Sequence, residues 1–110
     1  MLNNTKLIFS ELLGTFILVF TWTGAVVFNE ISGGAVTALG IGLVFGLVVM
    51  VLVYTLGDIS GAHINPAVTL DFWASGQFES KNVAPYILAQ CFGALLASFL
   101  LRGLFGVHGN

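Results

Sequence analysis

Four polar side chains that could do chemistry stand out in an otherwise apolar chain: Glu11, His63, Asn65 and Asp71. Carboxylates and imidazoles can act as acids, bases or metal ligands. No nucleophile–base motif, phosphate-binding loop or set of ligands at metal spacing accompanies them in the sequence. We therefore predict no enzyme activity, no catalytic residue, no metal site and no cofactor. Structural and hydrogen-bonding roles remain for these side chains.

The composition indicates an integral membrane protein in contact with lipid. Of the 110 residues, 57% are hydrophobic and only 7% are charged, whereas a soluble domain has about 25% charged residues. Three Lys and Arg side chains with a net charge of −2 leave no basic face for nucleic acid. The single cysteine, Cys91, cannot form a disulfide within the chain and is interpreted as a packing residue.

Three apolar runs are long enough to cross a membrane, at about residues 7–28, 35–56 and 83–101. Each meets the requirement of about 20 predominantly apolar residues for a helix across a core ~30 Å thick. Helices are the only choice, because isolated strands cannot satisfy their backbone in lipid and three strands cannot close a barrel. We predict an all-α membrane protein, with one domain over residues 1–110.

The charges predict an orientation by a narrow margin. Lys6 and Lys81 are predicted to lie on the same side of the membrane as the N-terminus, and Arg102 on the opposite side. The positive-inside rule then favours a cytoplasmic N-terminus in a multi-pass protein of the cell membrane, plasma or inner.

Each predicted span carries a pair of small residues four positions apart. Such pairs let helix backbones approach closely in lipid, although membrane helices are in any case rich in glycine and alanine. Because a pair occurs on every span, we predict a tightly packed bundle. The pairs are Ser10 and Gly14, Gly42 and Gly46, and Gly93 and Ala97.

The segment "HINPAVTLDFWASGQF" predicts a helix of half the usual length. Asn is a strong N-cap and Pro is favoured at the first helical position, so Asn65 and Pro66 mark a start and Gly76 an end. A helix over about residues 66–75 would be about 15 Å long, half of the bilayer core. The preceding "GDISGAH", residues 57–63, is predicted to be extended or irregular. This pattern favours a re-entrant loop.

Irregular backbone at membrane depth is tolerated only inside protein or beside water. A water-filled path would satisfy the carbonyls of Gly61, Ala62 and His63. The positive end of the half-helix and the Asn65 amide would then repel cations and donate hydrogen bonds to neutral permeants. The alternative is an amphipathic helix lying among the headgroups, which the absence of Lys and Arg from the segment disfavours.

The stretch "SGAHINPAVT" strongly resembles the first asparagine–proline–alanine signature of the aquaporin and aquaglyceroporin family of major intrinsic proteins. The resemblance extends over the chain, through "SELLGTFILVF", "WASGQF" and "PYILAQCFGALLAS". It implies six spans in two inverted repeats, each with one half-helix, and a homo-oligomer, a tetramer, with a pore in every subunit. It also implies water or a small neutral solute as the permeant.

The resemblance also implies roles for particular residues. Asn65, Pro66 and Ala67 match the signature, and the carbonyls of Gly61, Ala62 and His63 match the ladder that lines the pore. Phe45 matches the aromatic residue of the outer constriction, where an aromatic side chain suits water and glycerol channels often have tryptophan. Glu11 matches a buried glutamate that accepts hydrogen bonds from the re-entrant backbone.

Only the first half of the family pattern is present. The sequence has no second signature and no selectivity arginine; Val68 stands at the matching place after Ala67. We rank a fragment first, whose pore needs a second aquaporin half. The second hypothesis is a half-size channel, in which two antiparallel copies form a closed pair.

The function that the resemblance implies is passive transport of water and small neutral solutes through a membrane channel. An ion- or proton-coupled transporter subunit is the alternative, because broken helices with a polar midplane also fit that class. It needs a titratable group at the crossing point, which Asn65 is not. An inactive truncated chain remains the third hypothesis.

Overall fold

The computed structural model describes residues 4–106; residues 1–3 and 107–110 of the predicted domain lie outside the described part. Three of its helices are long and apolar enough to cross a membrane, and the fourth has nine residues. The predicted fold class, three spanning helices with one half-helix, is confirmed. In chain order the helices are α1 (Asn4–Ile31), α2 (Thr37–Ser60), α3 (Pro66–Ala74) and α4 (Ser80–Phe105).

Helices α1 and α4 extend beyond the predicted apolar runs at both ends, and α2 extends beyond its run at the C-terminal end but begins two residues inside it. Backbone hydrogen bonding can continue into polar flanks until a cap stops it. In the connection between α1 and α2, a side chain of α1 caps the start of α2. Asn29, still within α1, accepts hydrogen bonds through Oδ1 from the backbone N–H groups of Val36 (3.0 Å) and Thr37 (2.8 Å). These contacts satisfy N–H groups at the start of α2.

The irregular backbone predicted for residues 57–63 is wrong over its first four positions. Helix α2 continues to Ser60, because one glycine inside a helix costs only about 1 kcal/mol. It stops at Gly61, which has a left-handed φ of 88° and donates its N–H to the carbonyl of Gly57 over 2.9 Å. The irregular segment is therefore confined to residues 61–65.

Helix α1 packs against both α2 and α4. At the crossing of α1 with α4, a Cβ atom added to Gly93 would overlap the carbonyl oxygen of Leu12. Ala97, one turn further along α4, has no exposed surface. The close backbone contact predicted for this pair is thus confirmed, and glycine is required at position 93 because the opposing atom belongs to the backbone.

The prediction of close packing fails for Gly42 and Gly46 within the described chain. Nothing lies within 4 Å of a Cβ built on either residue. Helix α2 meets the cluster of Leu18 and Ile64 with a different face, on which Leu52 is 2% exposed. The spacing of two glycines marks a smooth helix face but does not determine which way that face points.

Large apolar side chains cover the outside of the bundle, including Tyr54 and Phe99, which are 83% and 71% exposed. In the most apolar 18-residue stretch of α2, only 6% of the residues are buried within the chain. Such a surface is stable when lipid or another protein covers it. The chain is an integral, multi-pass membrane protein.

Candidate functional site

The carboxylate of Glu11 is the centre of a buried hydrogen-bond network and has no exposed surface. Its Oε2 accepts bonds from the hydroxyl of Ser60 (2.7 Å) and the backbone N–H of His63 (3.1 Å). Its Oε1 accepts bonds from the backbone N–H of Ile64 (2.8 Å) and from Nε2 of Gln90 (2.8 Å). One side chain on α1 therefore joins the end of α2, the re-entrant backbone and α4.

Ser60, the last residue of α2, is a second junction of this network. Its hydroxyl oxygen accepts bonds from the hydroxyl of Ser10 (3.3 Å) and from the N–H of Ala62 (3.2 Å). Its carbonyl accepts a bond from the hydroxyl of Tyr86 over 2.8 Å. The point where the chain leaves α2 is thus held by α1 and α4 together.

The backbone after Gly61 is strained. Ala62 and Ile64 have φ values of 49° and 48°, in the left-handed region that side-chain-bearing residues avoid. Each such residue costs on the order of 1–3 kcal/mol. Gly14 makes room for Ile64, since a Cβ at position 14 would lie 2.7 Å from the Cγ2 atom of Ile64. Within this strained stretch, Glu11 accepts hydrogen bonds from the N–H groups of His63 and Ile64.

His63 is a buried structural residue, 7% exposed. Its Nδ1 lies 2.9 Å from Oγ1 of Thr69, and that oxygen also accepts a bond from Nε2 of Gln90 over 2.9 Å. Among the described residues no group of three or more His, Cys, Asp or Glu side chains could hold a metal ion.

The structure begins α3 at Pro66, with Asn65 as its N-cap, as the sequence predicts. Oδ1 of Asn65 accepts the N–H of Ala67 over 2.8 Å, and the Asn65 carbonyl accepts the N–H of Thr69 over 3.1 Å. Because the cap occupies Oδ1, the Nδ2 group of this exposed side chain remains available as a donor. The helix ends at Ala74, followed by Gly76 with a φ of 81°.

A groove of about 250 Å³ lies beside the start of α3 and is called the Asn65 groove below. It brings together three of the predicted site residues: Phe45, Asn65 and Pro66. Trp22 of α1 meets Phe45 edge to face, with ring centroids 5.4 Å apart. The remaining lining residues are Thr15, Leu18, Val19, Ile64, Gln90, Cys91 and Ala94.

The other predicted residues do not line this groove. Ala62 and His63 are buried, whereas Gly61 and Ala67 are exposed. Within the described chain, no hydrogen bond ends on the carbonyl of residue 61, 62 or 63. Their oxygen atoms thus remain available as acceptors.

Sequence reasoning missed six residues of the site, although part of the signal was present. Thr15 and Trp22 follow Glu11 by four and eleven positions, which places all three on one face of α1. Gln90 is a polar residue within an apolar span, a position that indicates a functional or structural role by default. The missed residues are Thr15, Trp22, Ser60, Thr69, Tyr86 and Gln90.

Three spanning helices, a half-length helix and a strained loop held by a buried glutamate define a multi-pass membrane protein with a re-entrant half-helix. The model of the family called Major intrinsic protein matches residues 1–109, and the chain belongs to that family. The resemblance found in the sequence is thereby confirmed.

The chain is 53% identical to Aquaporin NIP1-2 from Oryza sativa subsp. japonica, over 96% of this chain and 35% of that protein. It is 51% identical to Aquaporin NIP1-1 from Arabidopsis thaliana, over 89% of this chain and 33% of that protein. The chain thus spans about a third of the length of these curated relatives.

A solved structure with the same fold is the aquaglyceroporin from Plasmodium falciparum. The TM-score is 0.81 at 30% identity, over 94% of this chain and 43% of that one. These relatives are named as aquaporins and an aquaglyceroporin, and membership of this family confirms the expectation that this chain is not an enzyme.

Proposed function

We propose that the chain forms one half of a membrane channel that passively conducts water and small neutral solutes. The observation that carries this proposal is the position of Asn65. Its cap bond leaves Nδ2 free at the start of α3, and the residue lines a groove between the helices. The relatives that are named aquaporins and an aquaglyceroporin support the same function.

The proposed conduction depends on hydrogen bonding without titration. The N-terminus of α3 has a partial positive charge, and Nδ2 of Asn65 donates to a permeant oxygen there. The unpaired carbonyls of Gly61, Ala62 and His63 accept from the permeant on the loop. Neutral molecules that both donate and accept are conducted, while cations are repelled by the helix terminus.

A coupled transporter is the less favoured function. It would need a titratable acid or base along the path. The polar residues of the Asn65 groove are Thr15, Asn65 and Gln90, together with Cys91, and the lining contains no Asp, Glu, His or Lys. Passive conduction needs none of these groups.

The remaining wall of the proposed pore comes from a second aquaporin-like half, in the same or a separate chain. The open Asn65 groove and the exposed apolar faces of this chain support such a cover. An antiparallel copy of this chain is the alternative cover. We further propose a cytoplasmic N-terminus in the cell membrane and a homo-oligomer of complete pores.

The function can be tested in lipid vesicles reconstituted with the full-length protein that the gene encodes. Osmotic shrinkage faster than that of empty vesicles, without dependence on pH or ion gradients, supports the channel. Strict gradient dependence would favour a transporter, and unchanged shrinkage would favour an inactive chain. Labelling of a cysteine introduced near one terminus distinguishes a second aquaporin-like half from an antiparallel copy of this chain. In an antiparallel pair this cysteine is labelled from both sides of the membrane, whereas in a single orientation it is labelled from one side.

Replacement of Asn65 with aspartate is expected to reduce water flux and to admit cations. Aspartate keeps the acceptor that caps α3 but loses the Nδ2 donor and adds a negative charge. Stopped-flow shrinkage and a cation-sensitive dye inside the vesicles measure the two effects. Asn82→Asp, near the start of α4, is the control and should conduct as the unmodified protein does; equal behaviour of the two variants would refute the role of Asn65.

Replacement of Phe45 with alanine is expected to increase glycerol flux relative to water flux. The change removes one of the two rings that meet at the wall of the Asn65 groove and leaves Trp22 without its edge-to-face partner. Isotope-labelled glycerol uptake measures the effect. Phe99→Ala, on the outer surface of α4, is the matched control; a glycerol-to-water ratio that is the same in both variants would show that Phe45 does not select the permeant.

A further inference from the structure

Two buried polar atoms on the wall of the Asn65 groove have no hydrogen-bond partner among the described residues. They are Oγ1 of Thr15 and Oε1 of Gln90. Their residues are only 4% and 1% exposed, and both line the groove. Buried polar atoms are rarely left unpaired, and ordered water is the usual partner where protein supplies none.

The orientation of the Gln90 amide is determined by its other end. Its Nε2 donates to Oε1 of Glu11 and to Oγ1 of Thr69. Turning the amide over would place its oxygen against the carboxylate of Glu11, where two acceptors would repel each other. Oε1 of Gln90 is therefore the atom left without a partner.

The residues that carry the two unpaired oxygens are both connected to Glu11. Thr15 follows Glu11 by one turn on the same face of α1, and Gln90 bonds directly to Glu11 from α4. The groove of about 250 Å³ far exceeds the ~10–15 Å³ that one water molecule needs. Two residues with buried, unpaired oxygens thus line a groove that is wide enough for water.

We propose that Thr15 Oγ1 and Gln90 Oε1 bind a resident water molecule in the wall of the Asn65 groove. The Thr15 hydroxyl donates its proton to the water oxygen, and the water donates one of its protons to Oε1 of Gln90. This inference rests on the proposed function for the access of water to the groove. The resident water differs from the conducted molecules because it satisfies buried atoms and stays while they pass.

A high-resolution structure of the protein as its gene encodes it, determined in a lipid environment, is the direct test. We expect an isolated oxygen-sized peak at about 2.7–3.2 Å from both Thr15 Oγ1 and Gln90 Oε1. A protein donor in that position, from a covering half or a second copy, would overturn the proposal. An empty position would also overturn it.

Substitution of Thr15 supplies a second measurement. Thr15→Val keeps the shape of the side chain and removes its hydroxyl, so we expect the peak to vanish and the thermal midpoint to fall by about 2–8 °C. Thr15→Ser keeps the hydroxyl and should keep the peak. A midpoint for Thr15→Val equal to or above that of the unmodified protein would show that the hydroxyl had no partner to lose.

The two proposals fail separately. Absence of water flux in vesicles would contradict the channel, whereas the peak and the midpoint report on the bound water alone. A conducting protein without the peak would keep the proposed function and lose the resident water.

Discussion

Replacement of Glu11 with alanine is expected to lower the free energy of unfolding by about 3–5 kcal/mol, as removal of one partner from a buried charged network does. The change leaves the donors of Ser60, His63, Ile64 and Gln90 without their acceptor in the interior. The strained backbone between Ala62 and Ile64 then loses the bonds that hold it. Denaturant or thermal unfolding in lipid or detergent measures the loss.

Glu30→Ala is the matched control, because Glu30 lies on the same helix and is exposed. Substitutions at such surface positions usually change stability by less than about 0.5 kcal/mol. Glu11→Gln should fall between the two, since it keeps one oxygen but turns an NH₂ group towards donors. If Glu11→Ala and Glu30→Ala unfold alike, the network does not hold the loop. We expect Glu11→Ala also to abolish conduction, because Asn65 directly follows the loop that Glu11 positions.

Replacement of Gly93 with alanine is expected to destabilise the protein by about 1–3 kcal/mol through overpacking. The new Cβ would overlap the carbonyl oxygen of Leu12 and approach the backbone nitrogen of Phe16 to 3.1 Å. These atoms belong to the backbone of α1, so relief requires α1 and α4 to separate. Because Gln90 lies on α4 near this crossing, its bond to Glu11 would be weakened as well.

Gly103→Ala tests this explanation on the same helix. Nothing lies within 4 Å of a Cβ at position 103, and alanine favours a helix over glycine by about 1 kcal/mol. We therefore expect a thermal midpoint that is unchanged or slightly raised. Equal midpoints for Gly93→Ala and Gly103→Ala would mean that the close approach of α1 and α4 is not required.

The strained loop connects stability to function. Left-handed backbone at Ala62 and Ile64 is unfavourable by itself, and it persists because Glu11 accepts the N–H groups of His63 and Ile64. The same bend places Asn65 in extended backbone, from which its side chain can cap α3. The free energy gained in the buried network thus maintains the orientation of the amide proposed to meet the permeant.

Local signals in the sequence were sufficient for the helices and for the family. Apolar runs of about 20 residues predict membrane spans wherever they occur, and an Asn-Pro pair predicts a helix start from the geometry of the cap alone. The stretch from Ser60 to Thr69 was sufficient to identify the family. The predicted end of α2 near Leu56 was four residues too early, since glycine and serine, which occupy positions 57 and 60, are typical of loops.

Tertiary structure alone decided which residues meet. Gln90 and Ser60 reach Glu11 across 79 and 49 positions of sequence, and no local pattern encodes such distances. The rotation of each helix decided that Gly93 contacts α1 while Gly42 and Gly46 face outwards. It also decided that Trp22 joins Phe45 and that Thr15 and Gln90 line one groove. The reason is that spacing determines a helix face, whereas the packing of neighbouring helices determines what that face contacts.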